Sequence, residues 1–410
     1  MGKTLLKGGC VLSLDRKVGN FRVADVLIDG NRVAEVGPDL RARGAEVIDA
    51  ADTIVMPGFV DGHRHVGESL FRGFGDRKVA DEPHYTPDDV YAATLVGLLG
   101  AAEAGITTVV DWADHPDGEQ VDAALHAHAD SGMRSLFVQG GDPRNWKVDA
   151  GESITGFAAG PAGVDQWHRA RESGLRIHAH AGDGTESGRP EVMAPLLGDD
   201  VTLIHCSSFG DSDLDIVKSS GASIVLTPSS EMAGGIEPLQ VQKLVDRGIR
   251  PGLGVDTERR GPGDLFAQMR AAISLQHATL FDLKLAGKAG IPKLLTTREV
   301  IRYATVDGAR AAGLGQATGS LTPGKQADLV LLRTDRPNIY PINDPIGAVV
   351  WGMDTSNVDW VFVDGVPVKR EGELIADVGR ASDMARSARE RVLSASGASE
   401  GVTAGVEVGR

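Results

Sequence analysis

The chain has 410 residues, too many for one small domain but fitting a single α/β barrel with a smaller appendage. Its 41% apolar and 24% charged residues are globular values that allow a sizeable core and exclude bulk disorder. With 57 acidic against 42 basic residues the formal charge is −15, which argues against a polyanion such as nucleic acid as partner.

No run approaches the roughly 18–20 apolar residues that cross a bilayer, and Gly8-Gly9 interrupts the N-terminus before a signal-peptide core can form. A soluble, cytoplasmic protein is expected. The two cysteines, Cys10 and Cys206, lack CxxC spacing, so any metal must be held by His and carboxylate rather than by a thiolate cluster.

In chain order, short strands are predicted at 4–6, 10–12, 26–28, 32–36 and 46–49, separated by Gly8-Gly9, the hairpin-like Asp29-Gly30-Asn31 and Gly37-Pro38. The same grammar returns at 327–332 and 358–368, so one sheet-rich domain built from both chain ends is expected. Between them, short apolar runs alternate with helical stretches, the pattern of parallel βα units. Candidate strands are 54–60, 107–111, 134–138, 175–180, 202–205, 223–226 and 251–255, with a weak eighth at 158–160; a full barrel is inferred partly from the motifs below. A helix is predicted over 87–105 from its apolar side and its Gly stop. The Gly-, Pro- and Asp-rich segment 140–163 reads as a loop or lid. The assignment is an α/β fold: a (β/α)8 TIM barrel over 57–320, a small β-sandwich domain from 1–56 and 321–373, and a C-terminal helix with a mobile tail over 374–410.

Four strand ends carry chemistry. In Pro57-Gly58-Phe59-Val60-Asp61-Gly62-His63-Arg64-His65 a strand leads into two histidines at i and i+2, which point the same way and can bind one ion, though two unrelated loop histidines would share the spacing. Arg176-Ile177-His178-Ala179-His180 repeats the arrangement, with plain packing the rival reading for His178. Val201-Thr202-Leu203-Ile204-His205 ends in a third site, and Gly252-Leu253-Gly254-Val255-Asp256 in a carboxylate that a helix N-cap would equally explain. In a parallel barrel such ends converge on one mouth.

The order PGFVDxHxH, strand with His, His-Cys, then Asp, enclosed by terminal β segments and followed by Gly319-Ser320-Leu321-Thr322-Pro323-Gly324-Lys325-Gln326-Ala327-Asp328-Leu329-Val330, resembles the amidohydrolase superfamily in its cytosine-deaminase-like and chlorohydrolase-like branch. The resemblance spans 1 to about 370. It implies that His63, His65, His180 and Asp256 bind one divalent metal ion, Zn or Fe, and that His205 helps activate the attacking water or binds a substrate atom. No lysine resembles the carboxylated bridging lysine of the two-metal members. One departure stands out: the deaminating branch has Glu three residues after the strand-five His, whereas here Asp183 holds that place, with Glu186 one turn further.

A metal site with an open position can lower the pKa of water from 15.7 to about 7, giving a hydroxide near neutral pH. Asp256 could take its proton, His205 hold it in line and Asp183 protonate the ring nitrogen or leaving group. Substrate-binding candidates are His178, Glu231, Trp112, His84 and Glu258, with Phe71, Arg72, Phe74, Ser229, Ser230, Thr257 and Arg259 nearby; each is also readable as a loop or packing residue. The expected function is hydrolytic deamination of a pyrimidine, purine or triazine. The alternatives are hydrolysis of a cyclic amide, carbamate, urea or C–Cl bond and, in a different class, a non-catalytic binding barrel. A homodimer or larger homo-oligomer is expected from the resemblance alone.

Overall fold

The computed structural model describes residues 2–75, 85–113, 115, 118–140, 154–159, 164–182, 193–235 and 241–395. Both chain ends contribute to a first sheet: β1 (Lys3–Leu12), β2 (Asn20–Asp29), β3 (Arg32–Gly37), β4 (Glu46–Asp49) and β5 (Thr53–Pro57) come from the N-terminal side. The C-terminal side adds β14 (Leu329–Arg333), β15 (Val358–Val363), β16 (Val366–Arg370) and β17 (Glu373–Leu374), and β14 pairs with β5 to join the halves. The strands of this small β domain are linked by continuous hydrogen bonding and enclose their own cluster of Leu6, Val26, Ile28, Val33, Leu329, Leu331, Trp360 and Phe362. The two predicted strands at 4–6 and 10–12 are one strand, because the register shifts around Gly9 absorb the Gly8-Gly9 break without ending the pairing.

The second sheet is the barrel. Its strands β6 (Phe59–Arg64), β7 (Ile106–Trp112), β8 (Arg134–Gln139), β9 (Ile154–Ala159), β10 (Arg176–Ala181), β11 (Val201–His205), β12 (Ser223–Leu226) and β13 (Gly252–Leu253) pair in parallel in chain order. Last and first meet where Asp256 N donates to His63 O (2.9 Å) and His65 N to Asp256 O (2.7 Å), a parallel bridge that closes the ring. The fold is a (β/α)8 barrel with a small β domain.

The single run predicted at 54–60 is two strands. At Gly58 the chain leaves the first sheet for the barrel, and a side chain there would lie 2.1 Å from the Thr107 methyl, so the crossing needs glycine. The segment 140–163, expected as a loop or lid, contains the fourth barrel strand at Ile154–Ala159, longer and earlier than the weak candidate at 158–160. Small residues there conceal the strand, which is fixed by pairing with β8 and β10.

Inside the barrel, Val110, Leu136 and Val138 pack with Ala312, and Ile204 and Val225 pack with Ala311, so the floor is plugged from the helix Val306–Ala311. The first barrel helix, α1 (Pro87–Glu103), starts at a Thr86/Asp89 capping box with Pro87 in its first turn. The C-terminal helix Val378–Ala395 lays Ala388, Val392 and Leu393 on Ala92 and Ala93 of α1 and on Leu70 and Phe71. Arg391 pairs with Asp89, so the helix braces the turn that follows His65. No described helix is long and apolar enough to cross a membrane.

Sheet and barrel are also tied by charge. Buried Arg134 on β8 donates from Nε to Asp328 Oδ2 (2.7 Å) and from Nη2 to Asp328 Oδ1 (3.1 Å), just before β14. Replacing Arg134 by Met leaves that carboxylate buried without its cation and is expected to lower the unfolding free energy by about 3 kcal/mol. Denaturant unfolding checks it, and a loss below about 1 kcal/mol would mean that the pair is not a structural tie.

Candidate metal centre

Four barrel strand ends converge as the parallel arrangement demands. β6 supplies His63, which is fully buried, and leads into His65; β10 supplies His180, β11 ends at His205, and Asp256 lies just beyond β13. His63 Nε2 is 3.3 Å from both His180 Nε2 and Asp256 Oδ1, and His65 Nε2 is 3.5 Å from the same carboxylate oxygen. Ligand atoms of His63, His180 and His205, and those of His63, His65 and Asp256, lie within 4.8 Å of one another. Sequence reasoning named these five residues, and the structure brings them together.

The backbone that carries them is unusual. His205, Cys206 and Asp256 have φ of +68°, +58° and +65°, a left-handed region that non-glycine residues enter at a cost of about 1–3 kcal/mol each and that clusters at functional sites. Gly254 lets the last strand approach His63: a side chain there would lie 2.7 Å from the His63 carbonyl oxygen.

The donor set fits a divalent cation. Burial pushes the His63 imidazole down to about 4, partly opposed by Asp256, and burial with the neighbouring histidines pushes His180 lower still, so both rings present lone pairs at neutral pH. Burial alone would raise the Asp256 carboxyl, but the His63 hydrogen bond and the surrounding imidazoles hold it well below the usual range. Two facing Nε2 atoms and a carboxylate oxygen at such separations are a donor set that a shared cation would suit. Grouped in this way, these residues could hold a divalent metal ion.

The short helix Pro228–Ala233 after β12 orients two of the group. Ser230 Oγ donates to Asp256 Oδ2, while Glu231 Oε1 lies 3.1 Å from His205 Nδ1 and accepts from Thr227 N at 3.1 Å. Thr227 Oγ1 is 3.0 Å from the same His205 nitrogen. Glu231, expected to accept from substrate, is buried and turned to His205 instead.

Glu258 is likewise engaged by protein partners. Its Oε1 accepts from Arg72 Nε (2.8 Å), and its Oε2 accepts from Ser69 Oγ (2.6 Å) and lies 2.9 Å from Arg64 Nη2. Burial alone would raise its carboxyl, but Arg64 and Arg72 bring it down to about 2. A carboxylate with both oxygens so engaged has little left for a ligand.

Trp112, at the end of β7, sets its ring 4.3 Å from that of His180 and walls the cluster. His178 is fully buried one strand repeat below His180, and neither ring nitrogen has a hydrogen-bond partner among the described residues; burial pushes its imidazole down to about 3. His84, Asp183 and Glu186 lie outside the described residues.

Sequence reasoning missed Glu68, which follows His65 by three residues and accepts from the hydroxyl of Thr257, next to Asp256. It also missed Asp111, whose Oδ1 accepts from Val66 N (3.1 Å) while Oδ2 meets buried His128 (2.8 Å), steadying the chain just past His65. The one charged residue of a buried strand was the available signal for Asp111.

The sequence profile of the amidohydrolase family matches residues 54–140 and 157–368. A 5'-deoxyadenosine deaminase of Methanothermobacter thermautotrophicus is 29% identical over 87% of this chain and 91% of its own. A 5-methylthioadenosine/S-adenosylhomocysteine deaminase of Pelotomaculum thermopropionicum is 28% identical over 92% of this chain and 95% of its own. Among solved structures, an adenosine deaminase from Xanthomonas campestris with bound zinc superposes with a TM-score of 0.82 at 20% identity, covering 96% of this chain and 99% of that one. Atrazine chlorohydrolase TrzN from Arthrobacter aurescens, complexed with zinc, gives 0.78 at 20% identity over 94% of this chain and 100% of its own. These two structures share the fold.

Proposed function

This chain belongs to the amidohydrolase family, and from that premise we propose that it is a metal-dependent hydrolytic deaminase of an amino-substituted nitrogen heterocycle. The observation that carries the reading is the convergence of three imidazoles, His63, His65 and His180, with the carboxylate of Asp256. These four residues would hold one ion, zinc or iron, since imidazole and carboxylate suit both. The deaminase relatives act, by their names, on adenine nucleosides, which favours a purine-type substrate over a pyrimidine or triazine. A small-molecule substrate follows, and composition with resemblance supports a cytoplasmic homo-oligomer.

The ion, when bound, would supply Lewis-acid polarisation that makes water acidic near neutral pH. Asp256 stays ionised and is oriented by Ser230, so it can take a proton from the water that attacks the C–NH2 carbon. With Nδ1 of His205 committed to Glu231 and Thr227, the ring addresses the reacting centre through Nε2 and steadies the attacking oxygen. Trp112 offers a flat wall to a heterocycle. The sequence pattern supports Asp183 or Glu186 as the donor to the ring nitrogen. A C–O bond forms, the amine leaves as ammonia with its added proton, and the product is a carbonyl compound.

An ammonia-release screen over adenine nucleosides, aminopyrimidines and aminotriazines tests the reading. Release from at least one class is expected. Hydrolysis of a cyclic amide, carbamate, urea or chlorotriazine without ammonia from any amino compound would replace deamination, and no turnover at all with an ion bound would favour a binding barrel.

A further inference from the structure

Between His63 of β6 and His65 just beyond it stands Arg64, one of the largest fully buried side chains among the described residues. Its Nη1 is 3.2 Å from Asp61 Oδ2 and 3.2 Å from the Gly263 carbonyl oxygen, and its Nη2 is 2.9 Å from Glu258 Oε2. Asp61 Oδ1 in turn accepts from Val255 N (2.9 Å), so both chain neighbours of the Asp256 turn, residues 255 and 258, are tied to the same guanidinium group. Arg72 and Ser69 complete the set on Glu258.

Burying these charges is costly, and closing a barrel does not require it: apolar residues of similar volume usually stabilise a protein as well or better. What apolar packing does not supply is a fixed register between two backbone segments. Those segments here are the strand that delivers His63 and His65 and the turn that delivers Asp256. We propose that Arg64 and Glu258 are positioning residues, an ionic clamp that sets Asp256 against His63 and His65 and so determines how tightly the site holds its ion. The clamp rests on the ion site proposed above.

Charge alone and clamping predict different signs. Arg64 and Arg72 balance Asp61 and Glu258, so removing Arg64 adds net negative charge beside a cation site and, on charge alone, would tighten ion binding; removing Glu258 would weaken it. A clamp weakens binding in both cases. The test uses the full chain stripped with a chelator and titrated with Zn2+ against a chromophoric competitor, together with thermal unfolding of each metal-free variant. Arg64→Met and Glu258→Gln are expected to bind zinc about 10–100-fold more weakly than the unmodified protein, the usual effect of losing a residue that orients a ligand. Arg72→Met, which removes a half-exposed partner of Glu258, should shift affinity in the same direction by less and serves if Arg64→Met does not fold. Unchanged zinc affinity in the folded variants, whatever their melting temperature, overturns the clamp alone, as does tighter binding by Arg64→Met. No zinc binding by the unmodified protein overturns the ion site and the clamp with it.

Discussion

Asp256→Asn is expected to reduce kcat by roughly 1,000- to 10,000-fold even at saturating zinc, the size of effect that loss of a general base produces. Oδ1 of Asp256 lies against the Nε2 atoms of both His63 and His65, and Oδ2 accepts from Ser230. An amide in its place carries no charge to hold the ion, and its NH2 group cannot take a proton from water. Whichever way the amide is turned, one of the two contacts loses its acceptor. Steady-state kinetics with the metal content of the same sample decides the matter: a variant that retains its ion and a tenth or more of its activity would remove Asp256 from both roles.

Glu231→Gln has the second-largest expected effect, a fall in kcat of about 100-fold with KM changed little. The carboxylate is buried, and Oε1 takes both Thr227 N and the His205 Nδ1 contact, so its neutral replacement frees the imidazole to turn or change tautomer. The split between kcat and KM is the informative readout. A rise in KM at constant kcat would mean that Glu231 binds substrate, as its place after the seventh barrel strand first suggested, rather than orienting His205.

Both residues also mark the boundary of what the sequence makes legible. His63, His65, His180, His205 and Asp256 were readable because each ends a short apolar strand, and parallel strands in a barrel end at one face. Closure of the ring was not readable, because β13 is only two residues long and the seam is made by backbone bonds of His63, His65 and Asp256. The fourth strand was hidden in a glycine-rich segment that also suits a loop, since its pairing partners, not its own residues, decide its state. Glu231 and Glu258 look alike in sequence, as carboxylates just past strand ends. Their partners are His205, 26 residues away, and Arg64 and Arg72, nearly two hundred residues away, and only the closed barrel brings these together. The lone arginine between two histidines carried the hint, for a cation at the end of a buried strand must find buried counter-charges.

Metal content and metal dependence of ammonia release, measured on one preparation, test the metal-dependent hydrolase most directly. About one zinc or iron ion per chain, loss of ammonia release on chelation and its return when the ion is restored are the predicted result. Protein that binds no ion, or that releases ammonia undiminished after its ion has been removed, would contradict it.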